Sequence, residues 1–321
     1  MKSAVLGKLK LLRDNYYWSR LLAGIAKPLW LVCNGLATQL QMKVRKNGVT
    51  ISLPNGQAMT IGRDAGIGLA SNLFWHGLDG YEPVTSAALR FFFARSTTFL
   101  DVGANCGLYS IMAVLWNPQL RVFAFEAFSP IYEKLKTNIV LNGLEGRIVC
   151  ENVALSSQSG VGLFRIPQPD TADFETTGTL SDQGFQVRQG CPTVPVMTVR
   201  FDDYERSRPT QVDLVKIDVE DFEAHVLEGM SATIQRDKPF IICEILNRKE
   251  HRNERTLEII RSLNYTAYWI TDAGYIRVSR FDFERRRFMD FVLSPVSNDA
   301  EVVNDLSLLC EARKRLLAKS A

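Results

Sequence analysis

Residues Thr97 to Gly107 read TTFLDVGANCG, an apolar run that stops at an acid and two glycines and leads into the helix-like YSIMAVLW. This strand–turn–helix unit recurs along the chain, and its recurrence is the strongest constraint on the fold. RVFAFEAF is a second strand; Ser129-Pro130 then supplies an N-cap and a first-turn proline, and Ile131, Leu135 and Ile139 keep helical spacing until Asn142-Gly143. RIVCENVAL reads as a third strand, and QVDLVKID and PFIICEIL as a fourth and fifth, separated by a helix through FEAHVLEGM. Strands apolar on both sides and alternating with helices predict a parallel α/β sheet covered on both faces. The later AYWIT, GYIRV and RRRFMDFVLS complete it with an antiparallel pair, for a mostly parallel seven-stranded sheet.

Three segments follow. Residues 1–95 form a basic helical and β extension with a lid-like segment, residues 96–296 the core, and 297–321 a helical tail. Within the core, residues 156–209 are too long and too rich in Gly, Thr and Pro for a simple crossover. Alternation in VGLFRI and CPTVPVMTV makes this stretch an inserted β segment.

Composition excludes several classes. The net charge of +3 does not indicate nucleic acid, but the first fifty residues carry basic side chains from Lys2 to Lys46 against the single acid Asp14. With Tyr16, Tyr17, Trp18 and Trp30, that segment suits a helix packed on the domain, or peripheral contact with a membrane surface. Residues 21–40 contain Lys27, Pro28, Asn34 and Gln39, which interrupts the apolar run that spanning requires. The 6 cysteines are scattered without a CxxC pair, and only 3 histidines are available. A zinc site and a disulfide framework are therefore disfavoured, and a cytoplasmic location is expected.

Asp101 to Gly107 ends the first strand of a parallel sheet, where such folds bind ligands. Glycines there let the backbone approach a ligand, and the next helix offers free N–H groups. Glu126 ends the second strand, placed to accept both hydroxyls of a ribose. The dinucleotide fingerprint needs a glycine where Asn105 stands, and a P-loop needs a G-K-[S/T] that is absent. An acid followed by G-x-x-x-G suits a cofactor with a ribose, an adenine and an ammonium-bearing tail, a description that fits S-adenosylmethionine.

FLDVGANCGLYSIMAV, VFAFEAFSPIYEKLKTNIVLNG, DLVKIDVEDFEAHVLEGM and FMDFVLSP resemble the successive motifs of the FkbM-type methyltransferases, and GYEPVTSAALRFF resembles the helix preceding that family's first strand. The resemblance, from Gly80 to Pro295, implies a Rossmann-like class I fold and an S-adenosylmethionine-dependent enzyme, in many members an O-methyltransferase acting on sugar or polyketide hydroxyls. It assigns Asp101, Gly103, Asn105 and Gly107 to the methionine end, Glu126 to the ribose, and Asn152, Val153 and Ala154 to the adenine. Asp218 then faces the transferable methyl. Where the family usually has glycine after its DVE, this chain has Asp221.

A hydroxyl acceptor must lose its proton as the new bond forms, so a base within reach is required. Asp218 and Glu220 are the first candidates for that role or for a divalent metal clamp, Glu244 is the third, and His76 in an aromatic loop is a fourth. No metal-ligand pattern supports the metal. Glu220 and Asp221 are equally explained as acids at a helix N-terminus. Lys216 in mid-strand demands a partner, for which Glu244 and Asp213 are the expected choices; His225 reads as a surface histidine. The expected activity is O-methylation of a saccharide or polyhydroxylated metabolite, with a small-molecule or glycan acceptor. N-methylation, a nicotinamide-dependent oxidoreductase and a noncatalytic protein docked to a membrane-associated assembly are the alternatives.

Overall fold

The computed structural model describes residues 48–62, 67–166, 178–181, 191–207, 210–246, 250–271, 274–281 and 288–298. The expectations for the basic N-terminal segment and the C-terminal tail fall outside these residues.

A hairpin of β1 (Val49–Ser52) and β2 (Ala58–Ile61) leads into helix α1 (Ile67–His76), a 3-10 turn (Gly77–Gly80) and helix α2 (Pro83–Phe93). The alternating core follows: β3 (Thr98–Val102), α3 (Leu108–Trp116), β4 (Arg121–Phe125), α4 (Ser129–Leu141) and β5 (Ile148–Glu151). A side sheet uses β6 (Ala154–Leu155), β7 (Gly160–Arg165) and β8 (Thr193–Val199), and α5 (Phe201–Arg206) returns the chain to the core. Then come β9 (Leu214–Ile217), α6 (Glu223–Gly229), α7 (Ser231–Asp237), β10 (Phe240–Leu246) and α8 (Glu250–Ser262). The last three strands are β11 (Tyr265–Thr271), β12 (Gly274–Val278) and β13 (Phe288–Pro295).

The main sheet has the order β12-β11-β13-β10-β9-β3-β4-β5, parallel from β10 to β5 and antiparallel from β12 to β10. It has 8 strands rather than the expected seven, because both GYIRV and AYWIT join the antiparallel end. The chain moves outward from β3 through β4 to β5, then restarts at β9 on the other side of β3. The order thus reverses between β3 and β9, where such sheets open a crevice at their carboxyl ends.

Side chains alternate across the sheet. Phe99, Leu214 and Ile242 pack with α3 residues such as Ile111, while Leu100, Val215 and Ile241 pack with α6 residues such as Val226. Each large apolar side chain so buried contributes about 1.5–3 kcal/mol. No helix among the described residues is long and apolar enough to cross a membrane.

Local details differ from expectation for identifiable reasons. RIVCENVAL is not one strand: Asn152 turns its amide to the Glu126 and Ala127 carbonyls at 2.8 and 3.1 Å, and Ala154–Leu155 pairs with β8 in the side sheet. Ser129 does not cap α4; it lies in the first turn and its hydroxyl donates to Asn152 Oδ1 at 2.7 Å. Within residues 156–209, β7 pairs antiparallel with β8.

The register of β3 against β9 is held at its base by Asp213. One carboxylate oxygen accepts the Thr97 amide at 2.7 Å, the Thr97 hydroxyl at 2.6 Å and the Thr98 amide at 3.0 Å. Asp213→Ala is expected to cost about 2 kcal/mol, the usual worth of hydrogen bonds to a charged acceptor. Urea denaturation should show a lower midpoint with an unchanged slope.

Candidate active site

The first strand's end folds as its residue types require. Gly103 has φ +80°, and a Cβ there would lie 1.9 Å from the Asp218 carbonyl oxygen, so only glycine lets the loop after β3 touch the loop after β9. Gly107 repeats the requirement at φ +89°, against Leu135 of α4. Between them Asn105 adopts φ +51°, a left-handed conformation that asparagine tolerates better than other side chains. Its Oδ1 accepts the Cys106 amide at 2.7 Å. The Gly103 and Ala104 amides donate to the Phe125 carbonyl, both at 3.0 Å, tying the loop to the end of β4.

Glu126 follows directly. Its two carboxylate oxygens accept the Asn105 amide at 3.0 Å and the Phe128 amide at 2.8 Å. Burial pushes its carboxyl up to about 7. Asp101 is fully buried; one oxygen accepts the Ser110 hydroxyl at 2.6 Å, and Oδ1 has no hydrogen-bond partner among the described residues. Burial raises its pKa as well.

Beyond β9 lies a second group. Lys216 is buried, and its Nζ donates to Asp218 Oδ2 at 2.7 Å while sitting 4.8 Å from the Tyr109 ring centre. Its partner is thus Asp218, not Glu244 or Asp213: Asp213 is engaged at the base of the sheet. Burial opposes the ammonium, but Asp218, Glu82 and Asp101 outweigh it and raise the pKa above the usual lysine range. Burial likewise opposes the Asp218 carboxylate, but Lys216 and a hydrogen bond from Glu244 bring its pKa below the usual value. Glu244 is held well above the carboxylate range by burial and by Asp218.

Asp218, Glu220 and Glu244 place one ligand atom each within 4.8 Å of one another. That trio has the donors for a divalent ion, and Lys216 already brings one positive charge to it. Glu244 does not end its strand; β10 continues to Leu246. His76 is not in a loop: it ends α1 with its side chain exposed and does not belong to this cluster. His225 stacks on Phe222 and lies 3.2 Å from the Ser157 hydroxyl, against the side sheet.

Two further acids, Glu82 and Asp290, lie close to this cluster. Glu82, the N-cap of α2 at φ +43°, accepts the Tyr109 hydroxyl at 2.6 Å, and burial raises its pKa. Asp290 stands opposite Glu244 on β13, raised to about 7 by burial and then by Glu82. By strand alternation Asp101, Lys216, Glu244 and Asp290 lie on one face of adjacent strands. In β13, a lone acid between Met289 and Phe291 was the available clue.

Glu220 and Asp221, at φ +55° and +77°, are consecutive left-handed residues, each costing about 1–2 kcal/mol for a side chain other than glycine. That conformation explains why glycine is usual where Asp221 stands.

A family profile, the methyltransferase FkbM domain, matches residues 101–276, more than half of the chain. The chain belongs to the FkbM methyltransferase family. Among curated FkbM-like relatives, the methyltransferase sdnD of Sordaria araneosa is 29% identical over 153 residues, covering 41% of this chain and 59% of its own. The hexuronic acid methyltransferase AglP of Haloferax volcanii is 30% identical over 146 residues, with 45% and 54% covered. The 31-O-demethyl-FK506 methyltransferase FkbM of Streptomyces tacrolimicus is 30% identical over 152 residues, with 40% and 58% covered. The chain therefore spans between half and two thirds of the length of these relatives.

Two outcomes are expected at this FkbM-type site. Lys216→Met leaves the carboxylates without their cation and should destabilise by about 3–5 kcal/mol at pH 8. The loss should be smaller at pH 5, where protonation relieves the same repulsion; thermal melts at the two pH values check this. Were Glu126 to receive the hydroxyls of a ribose, it would have to be ionised to accept them in full, and S-adenosylhomocysteine affinity would then fall by up to about tenfold per unit below pH 7. Calorimetry of Glu126→Gln should give weaker binding with a flattened pH profile.

Proposed function

We propose that this chain transfers a methyl group from S-adenosylmethionine to a hydroxyl of a saccharide or polyhydroxylated small molecule. The observation that carries the reading is the contact of the Gly103 loop with the Asp218 backbone, which sets the cofactor motif directly against the acidic acceptor-side cluster. The residues fit the cofactor. Asp101 has an orphaned buried oxygen suited to the ammonium of the methionine end, and Glu126 is aligned by two amides to receive the ribose. Asn152 to Ala154, locked to the end of β4 through the Asn152 amide, flank the adenine. When bound, S-adenosylmethionine supplies an electrophilic methyl on a sulfonium, a group whose transfer depends chiefly on in-line positioning.

The chain's own residues do the rest. Asp218 is the ionised carboxylate of the cluster and orients the acceptor O–H, while Lys216 holds Asp218 in place. The acceptor proton passes to a carboxylate oxygen of Asp218 or Glu220, and Glu244 keeps its proton as donor to Asp218. Hexuronic acid and 31-O-demethyl-FK506, named for two of the relatives, support an oxygen acceptor on a polyfunctional molecule. Family membership sets aside the nicotinamide reading.

The test is calorimetric titration with S-adenosylmethionine, S-adenosylhomocysteine and NAD, followed by transfer of labelled methyl to a panel of methyl glycosides and glycuronides. Both adenosyl ligands should bind and NAD should not, and Glu126→Ala should abolish binding. Asp218→Asn should slow transfer by about 10²–10³-fold while S-adenosylhomocysteine affinity holds. NAD binding, or no adenosyl binding by folded protein, overturns the proposal.

A further inference from the structure

The inserted sheet touches both halves of the site. On the cofactor side, Phe164 of β7 stacks on Phe128, ring centres 5.4 Å apart and planes within 14°, and the Phe128 amide holds Glu126. On the acceptor side, Thr179 is joined to β7 through reciprocal backbone bonds with Arg165 at 2.7 and 3.2 Å. Its buried hydroxyl donates to the Glu220 carbonyl at 2.6 Å, with the Val219 carbonyl 3.2 Å away. That hydroxyl also accepts the Ser181 amide at 2.9 Å, and the Ser181 hydroxyl donates to Asp221 Oδ2 at 2.9 Å. A Cβ on Gly178 would lie 2.2 Å from Phe164, so the clamp and the stacked ring pack without spare room.

We infer that Thr179 and Ser181 are positioning residues that hold the loop Val219–Asp221 in its left-handed shape, making the insertion the shared wall of the cofactor and acceptor halves. The inference rests on the proposed reading of Asp218 and Glu220 as acceptor-side groups. Two consecutive left-handed side chains do not hold themselves, and the Thr179 hydroxyl donates to the backbone carbonyl of the first of them, Glu220. Asp221 acquires a specific use: where glycine would relax the backbone, the carboxylate gives Ser181 an acceptor and ties the loop to the insertion. Glu223 completes the turn by accepting the Asp221 amide at 3.0 Å.

Hydrogen–deuterium exchange on the full chain tests this without any acceptor. Thr179→Val should speed exchange of the amides from 219 to 223 by about tenfold, the equivalent of one buried hydrogen bond. Amides of Thr98–Val102 serve as the internal check on global folding. Thr179→Ser should restore the wild-type rate, which a volume effect of the valine would not explain. Ser181→Ala and Asp221→Ala should each speed the same amides, and the double variant should add nothing further, because both remove one contact. Unchanged exchange in Thr179→Val, failure of Thr179→Ser to restore it, or additive effects at 181 and 221 would overturn the clamp. S-adenosylhomocysteine titration of the same samples reports separately: its absence would sink the methyltransferase reading while leaving the exchange result to judge the clamp.

Discussion

A single buried ammonium organises the carboxyl end of this sheet. Lys216 projects from a central strand between Asp101 of β3 and the β10 face that carries Glu244. Asp218, Glu82 and Asp101 all act on it. A lysine cannot be taken out of water without compensation, and carboxylates cannot be crowded without a cation. Each side of this arrangement makes the other tolerable. The outcome is a graded set of acids: Asp218 is held below the usual value beside the ammonium, Glu244 is raised well above the carboxylate range beside Asp218, and Asp290 is raised to about 7.

The backbone around that cluster is correspondingly strained. Glu82, Asn105, Glu220 and Asp221 adopt left-handed conformations; Asn105 lies in the loop after β3, Glu220 and Asp221 in the loop after β9, and Glu82 at the start of α2. Such strain persists only where neighbours over-determine it. Here the neighbours are Tyr109 on Glu82, the Cys106 amide on Asn105, and Thr179, Ser181 and Glu223 on the loop after β9. The inserted sheet, which lies outside the alternating core, thereby becomes part of the site's scaffold.

Much of this was legible from residue pattern. The acid and paired glycines after an apolar strand, the carboxylate ending the next strand, and KID at the end of the fourth are local features, and each lands at a strand end facing the crevice. The partner of Lys216 is not readable from the sequence, because strand geometry places Asp213 at the far end of β9 while Asp218 sits two residues on, on the same face. Glu82 escaped notice because a glutamate before a proline reads as a helix start and nothing local shows that α2 folds over the sheet. His76 attracted attention as a base by residue type, yet it ends a helix with its side chain in solvent.

By itself the sequence determined the alternating α/β architecture, the cofactor-type loop and the family, because these depend on hydrophobic period, glycine placement and short motifs within one strand–turn–helix unit. Only the tertiary structure decided which acids crowd together, which one the buried lysine holds, and how the side sheet reaches the loop after β9. Those outcomes depend on which strands become neighbours, and a pairing between residues many positions apart leaves no periodic trace in the chain that makes it.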